Sequence, residues 1–157
     1  MINYNLNPLV DFTKAQSIAS SFGTPLYLYD EARLRLAAEA VLDFPNAFGL
    51  TARFAMKACP NKSILQLFDK LGLHIDASSG NEVRRALNAG ISPCKISLSA
   101  QEVPKDLEDL LDMGIHFNAC SLNQVECFGK IKPNSSLGIR FNPGSGSGGN
   151  NRTNVGG

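Results

Sequence analysis

The chain lacks most of what would direct it to a membrane, a nucleic acid or a metal. No apolar run approaches the roughly 18 residues that cross a bilayer. The first residues, MINYNLNPLVDF, do not have the basic-then-apolar order of a secretory signal. The net charge is only +1, too small for long-range attraction to nucleic acid or an anionic lipid surface. Cys59, Cys94, Cys120 and Cys127 form no C-x-x-C pair, so no zinc site or other metal site is expected. In a reducing compartment such thiols are ordinarily buried or half-buried. These absences leave a cytoplasmic protein that engages small molecules rather than nucleic acid or membrane.

What is present is a globular composition, 43% hydrophobic and 18% charged, over 157 residues, enough for one core. The pattern is strand-then-helix. Asp11 is placed to cap a short helix that Gly23 ends. TPLYLY (24–29) is β-prone, with Pro25 at its start, where a missing N–H is tolerated. Asp30 caps an amphipathic helix running to about Phe44. Glu31 and Arg35 pair within it at i,i+4, and Pro45 stops it.

From there the rhythm is regular. Strand-like runs begin at Leu50, Leu73, Cys94, Ile115 and Ser136, spaced 23, 21, 21 and 21 residues apart. Each gap carries one helix with its own signals. Asn61 caps a segment that Gly72 ends. Ser79 and Glu82 have capping-box spacing before a helix ended by Gly90. Pro104 suits the first turn of KDLEDLLDMG. Ser121 and Gln124 repeat the capping-box spacing. Such repetition predicts parallel strands joined by right-handed crossovers, in a βα-barrel or a doubly wound sheet. A doubly wound sheet usually has a glycine-rich turn after its first strand, and AMKACPN is not one. Five units fall short of the ~250 residues of a closed (β/α)8 TIM-type barrel, so a partial barrel is expected. Alone, it would expose a sheet edge.

In such barrels the chemistry sits at the C-terminal strand ends. Those ends hold Lys57, Asp76 with Ser78, Ser99, Asn118, and Arg140 with Asn142. Strand alternation over Arg53–Lys57 puts Arg53, Ala55 and Lys57 on one face and Phe54 and Met56 on the other. If the apolar pair packs against helices, Lys57 enters the barrel mouth. Partial desolvation there would free its amine as a nucleophile. A solvated lysine at a strand end is the competing reading. Asp76 can equally be a turn former before Ala-Ser-Ser. Glu82 reads first as a cap closing back on Ser79. Arg140 can be a surface residue, but it shares a strand face with Gly138 and Asn142. The tail NPGSGSGGNNRTNVGG reads as a loop rather than a phosphate cradle, since no helix follows it.

TPLYLYD, FAMKACPN, IDASSGNE, NAGI and IRFNPG, in that order, resemble the diaminopimelate, ornithine and arginine decarboxylases, the fold-type III pyridoxal-phosphate enzymes. The resemblance runs from about Gly23 to Gly157. It implies pyridoxal 5′-phosphate as cofactor and a barrel that carries the cofactor lysine over residues 31–157. It also implies a second, β-rich domain, to which residues 1–30 belong and whose remainder follows the barrel. Lys57 matches the cofactor lysine and Asp76 an acid beside it. Arg140 and Ala55 fall among the cofactor-binding positions. Glu82, Asn142 and Arg152 are candidates for substrate or loop contacts. The family's loop usually carries a histidine where this chain has Asn150, Asn151 and Arg152. The implied activity is decarboxylation of a basic or diamino acid, meso-diaminopimelate to lysine first, by a homodimer. The fragment alone is expected to be inactive, because family sites use C-terminal residues from a partner subunit. The alternatives are an ornithine, arginine or carboxynorspermidine-type decarboxylase, a racemase or pyridoxal-phosphate carrier on the same barrel, or a silent binding homologue.

Overall fold

The computed structural model describes residues 9–141. Two helices precede the alternating region. Helix α1 (Phe12–Phe22) is capped by the Asp11 carboxylate, which accepts from Lys14 N at 2.7 Å. It buries none of its residues. Helix α2 (Glu31–Leu42) starts on Asp30, whose carboxylate accepts from Ala32 N and Arg33 N, and carries the Glu31–Arg35 ion pair at 2.7 Å. It stops two residues short of Phe44. The β-prone run 24–29 forms no strand. Strand propensity needs a partner edge to become a strand, and among the described residues nothing pairs with it.

The alternating region is β1 (Arg53–Ala55), α3 (Lys62–Leu71), β2 (His74–Ala77), α4 (Gly80–Asn88), β3 (Ile96–Leu98), α5 (Leu107–Asp112), β4 (His116–Ala119), α6 (Leu122–Ile131) and β5 (Gly138–Ile139). All four pairings are parallel, and the spatial order is β1-β2-β3-β4-β5. A doubly wound sheet reverses its order at a switch point. This one advances in a single direction, which is the winding of a barrel, left open after five strands. Gly72, the C-cap of α3, sits at φ 100°, a left-handed turn that residues with a Cβ resist.

The pleat separates two faces. Outward-facing Ile75, Ala77, Ile96, Leu98, Phe117 and Ala119 are buried against the helices. Phe54 meets Phe68 of α3 edge-on at 4.6 Å, and Phe117 stacks on Phe128 of α6 at 6.0 Å. The inward face is polar: register aligns Ala55 with Asp76 and Asp76 with Ser97, then Asn118 with Gly138. This division between apolar outside and polar inside positions the site.

Two boundaries differ from the sequence expectation. Strand β1 ends at Ala55, and Met56–Ala58 forms a 3-10 turn. Met56 goes fully into the core, on the side expected for it, but the strand has ended before Lys57. Helix α5 is shorter than KDLEDLLDMG. Asp106 at its N-cap makes no capping bond because its carboxylate is paired with Arg84 of α4.

Candidate active site

An open cleft of about 770 Å³ lies at the C-terminal ends of the strands. It is lined by Lys57 from the turn after β1, Ser78 after β2, Ser99 after β3 and Arg140 after β5. Ser79 with Gly80, Asn81 and Arg84 of α4, and loop residues 100–106, complete its wall. Its volume is in the range of small-ligand sites. The 3-10 turn, rather than strand alternation, delivers Lys57 to the lip. The shelter expected for this amine is absent, since Lys57 is exposed. Five strands close only one side of the mouth. Neither Lys57 nor the side chain of Arg140 forms an ion pair among the described residues.

Asp76 sits one layer beneath the cleft floor. Its Oδ1 accepts from Ser97 Oγ at 2.6 Å and from Ser99 Oγ at 3.1 Å. Ser99 Oγ in turn accepts from Asn118 Nδ2 at 3.0 Å. Gly138 lies beside Asn118 on β5, and a Cβ at that position would overlap Asn118 Oδ1 and stand 3.0 Å from its Cγ. Ala55 is the strand partner of Asp76, on the same inward face. Three adjacent strands, β2, β3 and β4, thus contribute polar side chains to one hydrogen-bonded layer.

Glu82 is not on the cleft. Its N–H donates to Ser79 Oγ at 3.2 Å, and its Oε2 accepts from Ser78 N at 2.7 Å. The capping-box carboxylate therefore closes on the residue before Ser79, and in doing so holds Ser78 at the cleft wall. The same shift recurs at α6, where Gln124 Oε1 accepts from Cys120 N at 2.6 Å. Gln124 also donates from Nε2 to the carbonyls of Ala100 and Gln101, both at 2.9 Å, fixing the loop that follows Ser99. Asn142 and Arg152 lie outside the described residues.

Sequence reading missed Ser97, Gln124 and Gly138. Ser97 was legible as the partner of Ser99 in Ile96-Ser97-Leu98-Ser99, where period two puts both hydroxyls on one face. Gln124 gave only its capping signal, because its loop contacts span more than twenty residues. Deeper in the inward face, His74 Nδ1 is buried and has no hydrogen-bond partner among the described residues. Burial, and then the charges of Arg53, Lys95 and His116, hold its pKa below the ordinary 6.5.

Residues 34–157 match the family described as pyridoxal-dependent decarboxylase, pyridoxal binding domain. The chain belongs to this family. It is 35% identical over 153 residues to the diaminopimelate decarboxylase of Streptomyces coelicolor, covering 94% of this chain and 34% of that protein. Its structure is similar to that of Helicobacter pylori diaminopimelate decarboxylase complexed with L-lysine, with TM-score 0.72 and 27% identity over 85% of this chain and 35% of that one. It is also similar to the ornithine decarboxylase of Entamoeba histolytica, with TM-score 0.70 and 26% identity over 82% of this chain and 42% of that one. The chain spans about a third of the length of the curated relatives it matches.

The side chains present suit the pyridoxal group that defines the family. A primary amine at the lip is the nucleophile an aldehyde requires. Arg140 supplies a permanent cation for an anionic group. Ser99 at the floor, with Asp76 hydrogen-bonded beneath it, supplies fixed donors and acceptors. Among the described residues no helix is long and apolar enough to cross a membrane.

Proposed function

We propose that the protein carrying this chain is a cytoplasmic homodimeric decarboxylase of a diamino acid, acting on meso-diaminopimelate to give lysine. The observation that carries the reading is the Lys57 amine at the lip of a cleft lined also by Ser99 and Arg140, with Asp76 beneath its floor and hydrogen-bonded to Ser99. The similarity to diaminopimelate decarboxylases over nearly the whole chain supports the substrate. The family match begins at residue 34, and α1 buries nothing, which supports assigning residues 1–30 to a separate β-rich unit. The net charge of +1 supports a small-molecule partner rather than nucleic acid or membrane.

In this reading Lys57 anchors the cofactor through its amine and passes a proton at Nζ. Arg140 orients an anionic group across the cleft. Asp76, with Oδ1 already occupied, keeps Oδ2 as an acceptor for a cationic amine. Glu82 and Gln124 hold the cleft walls through backbone bonds. What pyridoxal phosphate supplies when bound is a sink for the electron pair left on the α-carbon as carbon dioxide departs.

The test is made on the full-length protein. Borohydride treatment in the presence of pyridoxal phosphate should label the peptide containing Lys57, and Lys57→Ala should lose both the label and the visible absorbance. Carbon dioxide release is then compared for meso-diaminopimelate, ornithine and arginine. Labelling of another lysine would overturn the site, and preference for ornithine or arginine would overturn the substrate.

A further inference from the structure

We infer that Ser99, oriented by Asn118, is a positioning residue that sets which oxygen of Asp76 serves the cleft. The inference rests on the functional reading above and adds residues to that site. An ionised carboxylate can only accept, and a serine hydroxyl has a single proton. The Asn118 amide donates into Ser99 Oγ, so the Ser99 proton is free to point the other way, at Asp76 Oδ1. Asn118 Oδ1 occupies the space where a Cβ of residue 138 would stand, so the glycine on the next strand gives it room in this position. The direction therefore runs from β4 to β3 to β2.

Ser97, 1% exposed, donates to the same oxygen at 2.6 Å. Two donors on Oδ1 fix the carboxylate plane, and Oδ2 accepts no hydrogen bond among the described residues. Oδ2 is then the acceptor left for a cationic amine. Of the two serines, Ser99 is the one that also lines the cleft. Its loss would let the carboxylate turn about its Cβ–Cγ bond and spread the acceptor over two orientations.

The experiment uses the full-length protein with Ser99→Val and Ser99→Thr, which have nearly equal volume and differ in the hydroxyl. Each is made alone and on an Asp76→Asn background. The readouts are the pyridoxal-phosphate dissociation constant and absorption maximum, then kcat and KM. Ser99→Val should lower kcat about tenfold, the scale of one hydrogen bond to a charged group, with KM within about twofold. It should also shift the absorption maximum of the bound cofactor. Ser99→Thr should restore both, and on the Asp76→Asn background the two variants should be alike.

Equal behaviour of the Val and Thr variants overturns the inference, as does a Val effect that survives on the Asp76→Asn background. If Ser99→Val does not fold, Asn118→Ala replaces it: Ser99 keeps its hydroxyl but loses its orientation. The same shift in absorption maximum is then expected, and its absence counts against the inference. If the wild-type protein takes up no pyridoxal phosphate at Lys57, the functional reading falls and this inference falls with it. A wild-type protein that takes it up, beside an unaffected Ser99→Val, overturns the inference alone.

Discussion

At the scale of single residues, two positions carry physical constraints that their chemistry alone does not announce. Gly138 is required for room rather than for conformational freedom. Its added Cβ in Gly138→Ala would overlap the Asn118 amide. Either the asparagine leaves Ser99 or the strands shift. We expect a loss of about 1–3 kcal/mol, the usual cost of overpacking, read as a lower urea midpoint of the full-length protein. A midpoint equal to wild type would show that Asn118 yields freely. His74 is the second case. Its folded-state pKa lies below 6.5, so between that value and 6.5 the unfolded chain binds more protons than the folded one. Its contribution is therefore intact above about pH 6.5 and shrinks as the pH falls from there through the folded value. Urea midpoints taken at about pH 7.5 and pH 5.5 should converge in His74→Gln relative to wild type.

At the scale of elements, the two caps at α4 and α6 share one arrangement. In each, a serine hydroxyl accepts from the residue three positions on, and that residue's side chain reaches back to the N–H before the serine. The chain after β2 and after β4 is thereby turned into its helix, and the segment after β2 is held at the cleft wall. The caps differ in depth. Ser79 is partly exposed, and Ser79→Ala should cost about 1 kcal/mol. Gln124 is 2% exposed and serves three backbone groups. Gln124→Leu leaves those groups unpaired and should cost more, about 2–3 kcal/mol or above. Chemical unfolding of the two variants side by side checks the order, and a smaller loss for Gln124→Leu would contradict this account. These features were half legible in sequence. The S-x-x-E and S-x-x-Q spacings marked the helix starts, but which N–H each side chain takes depends on the extended backbone of the residue before.

At the scale of the whole molecule, five parallel strands wound in one direction leave β1 and β5 as edges among the described residues. Their N–H and C=O groups are templates for another strand. Large apolar side chains also stand in solvent, among them Phe48, Tyr27 and Phe141. Residues 1–157 expressed alone should therefore self-associate at micromolar concentration, seen by sedimentation or light scattering. A stable monomer would mean that the edges are protected in some other way. The same openness explains the exposure of Lys57. Period-two reasoning could not foresee the 3-10 turn that carries it to the lip.

The sequence alone determined the alternating plan, the helix starts, the polar strand ends and the family, because these rest on local spacing and on short motifs such as FAMKACPN and IDASSGNE. It did not determine that the winding runs one way, that 24–29 stays unpaired, or that Asp76 is held from β3 and β4. Those are contacts between residues about twenty or more positions apart. Only the register of neighbouring strands brings a hydroxyl to a particular carboxylate oxygen, and register is settled when the apolar faces bury themselves together.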